Sequence, residues 1–260
     1  PHGWSSAQVI GPIAGGAVAI AAFLARQARG DEPLLPVYLL TERSRAGAYL
    51  AVAVGVVGTF GMFLMLTYYF QVVRGYSAVR TGLAFLPLSA AVAASAYGLG
   101  SRLLPRVAPR ALIVPGLLVA AAGLALLSRL DASSGYLTLI LPAEVLLGAG
   151  IGCVFTPAIT VATSGIEPRS AGVAAAVANT AMQIGASIGT AVLNTVAITA
   201  TRTYVSGHAG AAPVAGLVHG YATATASSAA LLGVTAVVAA ILIRTPRPQA
   251  HPPSASVSSS

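Results

Sequence analysis

One carboxylate in this sequence stands where an ionisable group is costly. Glu144 lies inside an apolar run from Tyr136 to Ile159, whereas the other 19 of the 20 charged residues fall between such runs. At 1.5 Å per residue it is roughly 12 Å into the run, near the centre of a membrane span. A carboxyl group there can take up and release a proton, which is the chemistry that coupling to a proton gradient requires. The alternative is a structural glutamate that stays protonated and hydrogen-bonds a neighbouring helix. Gly148 and Gly152, four and eight residues further on, share its helical face and leave room there for another helix or for water.

A second set of polar groups lies in the next run, Ala171 to Ala200. At about 100° per residue, Asn179, Gln183, Ser187, Thr190 and Asn194 fall in one sector roughly 80° wide. Gly185 and Gly189 fall on the other side of the same helix. A helix that is polar along one edge and glycine-lined along the opposite edge suits a bundle that encloses a cavity on one side and packs tightly on the other. Earlier in the chain Gly58, Met62, Met65 and Tyr69 share a face. Thioethers and an aromatic ring there could line a pocket for greasy, variable ligands or form a packing or lipid-facing stripe.

The elements that must position these residues are membrane spans. Only 8% of residues are charged, 56% are hydrophobic and the mean hydropathy is +0.83, against about a quarter charged in an ordinary soluble domain. Seven runs reach spanning length: Trp4 to Ala25, Ala46 to Phe70, Gly82 to Ser101, Ala111 to Ser128, Tyr136 to Ile159, Ala171 to Ala200, and Ala222 to Ile243. The predicted fold is therefore all-α and integral to a membrane.

All 14 basic residues are arginine, and they divide unevenly between the two sets of connections, ten against four. Under the positive-inside rule the first residues lie outside the cell and the last ones in the cytoplasm. The expected organisation is a first additional helix over 1–25, a cytoplasmic interfacial connection over 26–45, six spans over 46–243, and a disordered cytoplasmic tail over 244–260. Thr201 to Gly220 is small and polar, and it reads as a mobile outer loop carrying His208 and His219. The chain opens on Pro1 with no charged leader, which reads as the C-terminal part of something longer.

Several classes of function are disfavoured. The arginines lie between apolar runs without interleaved aromatics, so the basic balance is topological and calls for no nucleic acid. The four histidines all lie outside the spans, one membrane carboxylate makes no acid/base pair, and the sequence has no phosphate loop, metal cluster or catalytic triad. No enzyme, cofactor or metal is expected. Cys153 is the only cysteine and reads as a small packing residue.

Particular stretches resemble the fourteen-span drug:proton antiporters of the major facilitator superfamily. Gly172-Val173 followed by Asn179-Thr180-Ala-Met-Gln183-Ile-Gly185-Ala-Ser-Ile-Gly189 is similar to that family's thirteenth span. Arg29-Gly-Asp-Glu-Pro33-Leu-Leu-Pro36 is similar to the loop after its eighth, and Thr81-Gly82-Leu-Ala-Phe-Leu-Pro87 to the start of its tenth. Gly100-Ser-Arg102-Leu-Leu-Pro105-Arg106-Val-Ala-Pro-Arg110 looks like the superfamily's repeated Gly/Asp/Arg loop. It departs at Pro105 and Ala108, which leaves arginines that anchor the cytoplasmic face.

The resemblance implies a six-helix C-terminal transporter half made of two inverted three-helix repeats, preceded by one extra helix. It further implies proton-driven export of hydrophobic, drug-like molecules across the cell membrane, with the other half supplied by a missing N-terminal segment or a partner chain. The alternative from a different class is a non-transporting membrane subunit or truncated remnant.

Overall fold

A computed structural model describes residues 7–29, 41–164, 166, 168–208 and 212–243. Every regular element among them is helical: α1 (Ala7–Arg29), α2 (Arg43–Tyr68), α3 (Ala78–Ala84), α4 (Leu86–Ala94), α5 (Ser101–Leu103), α6 (Arg110–Leu127), α7 (Leu141–Thr163), α8 (Pro168–Gly207) and α9 (Pro213–Leu242). Three wide π-helical turns adjoin them, at Tyr69–Val73 after α2, at Ser95–Gly100 between α4 and α5, and at Tyr136–Ile140 before α7. Joined through these turns, the helices make seven spans long and apolar enough to cross a membrane. The interfacial run Pro33–Leu40 and the tail 244–260 lie outside the described residues.

Local chemistry sets the span ends. Glu42 caps α2, its carboxylate accepting from the Ser44 and Arg45 amides at 3.0 Å each. Arg45 then donates to Ser164 O at 3.0 Å, which ties the start of α2 to the end of α7. After the turn at Tyr69–Val73 the chain reverses through Gly75, whose φ of 64° favours glycine. Pro87 lacks an N–H and crowds the preceding turn, so the third span breaks at Phe85 into α3 and α4.

The core lies among α2, α4, α6, α7 and α9, around Ile113, Leu117, Leu124, Leu147 and Leu232. Without a hydrophobic driving force between helices in lipid, close approach must come from small residues. A Cβ at Gly116 of α6 would stand 2.8 Å from Gly150 O of α7, and one at Gly123 would stand 2.7 Å from Ala143 O. α1 differs: its described side chains between Ile10 and Arg26 are exposed. Outward-facing apolar residues such as Phe63, Tyr97 and Val237 are what a lipid-facing surface requires.

The expected outer loop over 201–220 is corrected. α8 continues to Gly207 and α9 begins at Pro213, so only a few residues turn between them. Small residues there serve helix contact: Gly220 abuts Thr201 and the Ala197 carbonyl, and Gly216 abuts Val205. Pro213 suits the first turn of a helix, where its missing N–H costs nothing.

Candidate functional site

Glu144 lies one turn into α7 and is 1% exposed. Neither of its carboxyl oxygens makes a hydrogen bond of ordinary geometry among the described residues, although the Tyr136 hydroxyl lies within reach. An unsatisfied polar group of this kind is rare in folded proteins and costly where water is absent. Its own face of α7 meets α4 and the turn after it. A Cβ at Gly148 would stand 2.6 Å from Leu88 O and 2.9 Å from Ala91 Cβ, and Gly152 abuts Ser95 and Val92 O. Ser95 Oγ donates to Ala91 O at 2.8 Å and reaches Gly148 O at 3.4 Å. Of the two uses that the glycine face allows, close approach of a helix is the one the structure displays.

Towards the other end of the span lies Tyr136, half-buried, whose hydroxyl donates to Ala84 O at 2.8 Å. That carbonyl ends α3 at the break which Pro87 imposes. The Tyr136 hydroxyl is also within electrostatic reach of Glu144. Beside it a shallow pocket of about 260 Å³ is lined by Tyr76, Arg80, Leu83, Ala84 and Tyr136. The Arg80 guanidinium lies 3.9 Å over the Tyr76 ring. Sequence reasoning missed Tyr136 as a neighbour of Glu144: eight residues put it about two turns away at the end of the span, whereas the glycines that mark the carboxyl's face lie on its other side. The π turn absorbs one extra residue, with Leu141 N–H bonding to Tyr136 O, and brings the two closer in phase.

The polar stripe of α8 points away from the packed core. Asn179, Gln183, Ser187 and Asn194 are exposed and Thr190 is half-buried. Gly185 and Gly189 are buried against α2, the former abutting Ala53 O and the latter Val57. Of the methionine face, Met65 joins Asn194 in the wall of a cleft of about 420 Å³, together with Tyr68, Thr201, Arg202 and Tyr221. Met62 and Tyr69 lie elsewhere, in the core at 2% and 0% exposure. Tyr69 donates its hydroxyl to Asp131 O at 3.0 Å and is 3.3 Å from Ser134 O, so it fastens the turn before α7.

His208 and His219 are brought together by the helical pairing that replaced the expected loop. Both stack on Tyr204, with ring centroids 4.3 and 4.7 Å away, and His208 Nδ1 is 3.0 Å from Tyr204 O. The tyrosine ring separates the imidazoles, which is poor geometry for one shared metal ion. No group of three or more metal-ligating side chains occurs among the described residues.

Seven apolar spans, six of them packed together with glycines at their close contacts and one buried carboxyl among them, define a multi-pass helical membrane protein. The sequence pattern of the Major Facilitator Superfamily matches residues 2–190, and the chain belongs to that superfamily, whose members are transporters rather than enzymes. Among curated relatives, the puromycin resistance protein pur8 of Streptomyces alboniger is 46% identical over 245 residues, covering 93% of this chain and 49% of that protein. The cephamycin export protein CmcT of Amycolatopsis lactamdurans is 36% identical over 75% of this chain and 40% of its own length. The tetracenomycin C resistance and export protein of Streptomyces glaucescens is 35% identical over 74% of this chain and 35% of its own. The chain spans about half the length, or less, of these relatives.

Proposed function

We propose that this chain forms the C-terminal half of a secondary active transporter that exports hydrophobic, drug-like small molecules in exchange for protons, with Glu144 as a proton carrier. The observation that carries this reading is the carboxyl group itself, 1% exposed in a membrane span, with the Tyr136 hydroxyl in reach but donating instead to Ala84 O at 2.8 Å. A purely structural glutamate would be held by a donor on a neighbouring helix. The printed activities of the relatives, resistance to and export of antibiotics, support the direction and the substrate class.

In this reading the polar stripe Asn179, Gln183, Ser187, Thr190 and Asn194, with Met65 near Asn194, faces a cavity shared with the other half of the transporter. That half comes from an N-terminal segment or a partner chain. Residues 46–243 are the six-helix half, α1 is the additional helix, and the last span ends in the cytoplasm.

The test is substrate-induced proton movement in vesicles that hold the full-length transporter. Glu144→Gln keeps the shape and hydrogen-bonding capacity of the side chain but carries no proton. Coupled export should be lost while expression stays nearly normal; unchanged coupling would reduce Glu144 to a structural residue.

A further inference from the structure

The geometry points to Tyr136 as the gate through which Glu144 exchanges its proton, opening onto the pocket lined by Tyr76, Arg80, Leu83 and Ala84. This inference rests on the proton-carrying role of Glu144 proposed above. Both sides of the carboxyl are constrained by the same parallel contact of α7 with the third span. One side is closed: at Gly148 and Gly152 the backbones of α7 and α4 approach so closely that even a Cβ would meet Leu88 O at 2.6 Å and Val92 O at 2.5 Å. Water has no passage between helices at that separation.

The other side ends in an opening. Ala84 closes α3 and Tyr136 begins the π turn before α7, and both line a pocket of about 260 Å³, enough for several waters. One hydrogen bond, Tyr136 Oη–H to Ala84 O at 2.8 Å, spans the gap between that pocket and the interior. When it breaks, the ring can move aside and pocket water can reach the Glu144 carboxyl. Three other features suit a gate. The π turn is a wide, easily rearranged segment. Pro87 interrupts the helix that carries Ala84. The ring lies beside Phe70 at a centroid distance of 6.0 Å, so it has an apolar surface to return to.

The titratable and charged groups at the mouth are Tyr76, Tyr136 and Arg80. The guanidinium is held over Tyr76 at 3.9 Å, which keeps it at the rim. Proton entry is therefore from the membrane face that carries the connections 74–77 and 128–135.

A water-soluble carbodiimide, which modifies protonated carboxyl groups, tests this on the full-length transporter in sealed vesicles of known orientation, with modification of Glu144 followed by mass spectrometry. The reagent should modify Glu144 from the face of the 74–77 connection. Tyr136→Phe removes the latch while keeping the ring, and the rate should rise about fivefold, as expected for loss of one ordinary hydrogen bond. Leu83→Trp, at an exposed position of the pocket wall, should slow it severalfold without disturbing the core. Equal rates in all three proteins, or faster modification from the opposite face, would overturn the gate. The two ideas fail separately: if Glu144→Gln abolishes coupling but Tyr136→Phe and Leu83→Trp change nothing, the carrier stands and the gate falls. If Glu144→Gln leaves coupling intact, the carrier itself is lost.

Discussion

Gly189 of α8 rests against Val57 of α2 with no room for a side chain, since a Cβ there would stand 2.7 Å from Val57 Cγ1. Two residues earlier, Ser187 is exposed on the opposite edge. Gly189→Leu forces two backbones apart and should destabilise the folded protein by about 1–3 kcal/mol or more. Ser187→Ala should stay within about 0.5 kcal/mol. The yields of folded protein in detergent compare the two; equal yields contradict the two-faced packing of this helix.

Glu144 supplies a second prediction, on stability rather than transport. With no hydrogen bond of ordinary geometry to either oxygen and the Tyr136 hydroxyl donating to Ala84 O, the carboxyl contributes little that a thioether of similar length would lose. Glu144→Met should leave the protein as stable or gain about 1 kcal/mol while abolishing proton coupling. Thermal unfolding in detergent reports the first effect and vesicle transport the second. A large loss of stability would mean that a partner holds the carboxyl.

Asp131 makes the turn before α7 sensitive to acid. Its Oδ1 accepts from the Ser133 hydroxyl and amide, both at 2.7 Å, and these bonds, with those of Ser134, hold its carboxyl below the usual aspartate range. A depressed value means that the stabilisation is complete above the ordinary aspartate pKa of about 3.9. It is lost as pH falls through the lowered value. The protection of the Ser133 amide from hydrogen exchange, taken relative to a free amide at the same pH, should fall only in that acidic window, and Asp131→Asn should remove this pH dependence of the protection.

Orientation is tested by labelling. Under the proposed topology a cysteine at Ser206, exposed near the end of α8, reacts with an impermeant thiol reagent added outside intact cells. One at Ser256 reacts only after permeabilisation. The opposite pattern would reverse the topology and, with it, the side from which Tyr136 opens.

The sequence by itself determined the seven spans, and the physical reason is that insertion into lipid is decided segment by segment. About 20 apolar residues with no charge suffice whatever surrounds them. Ala111–Ser128, expected from composition, differs by one residue at each end from Arg110–Leu127, and Tyr136 begins its span in both. The angular separation of Ser187 from Gly189 was likewise legible, because a helix fixes its own period. The tertiary structure alone decided what depends on partners distant in the chain. Within small, polar 201–220, residues 201–207 and 213–220 are helical, and Gly216 and Gly220 let α9 lie against α8, a contact invisible in either segment. Met62, Met65 and Tyr69 share a helical face and all three are buried, yet of these only Met65 borders the cleft, because the neighbours that arrive decide where a cleft is left. Tyr136 comes near Glu144 because a π turn shifts its phase and a proline break across the interface presents Ala84 O to its hydroxyl; neither distortion follows from a regular helix drawn through the sequence.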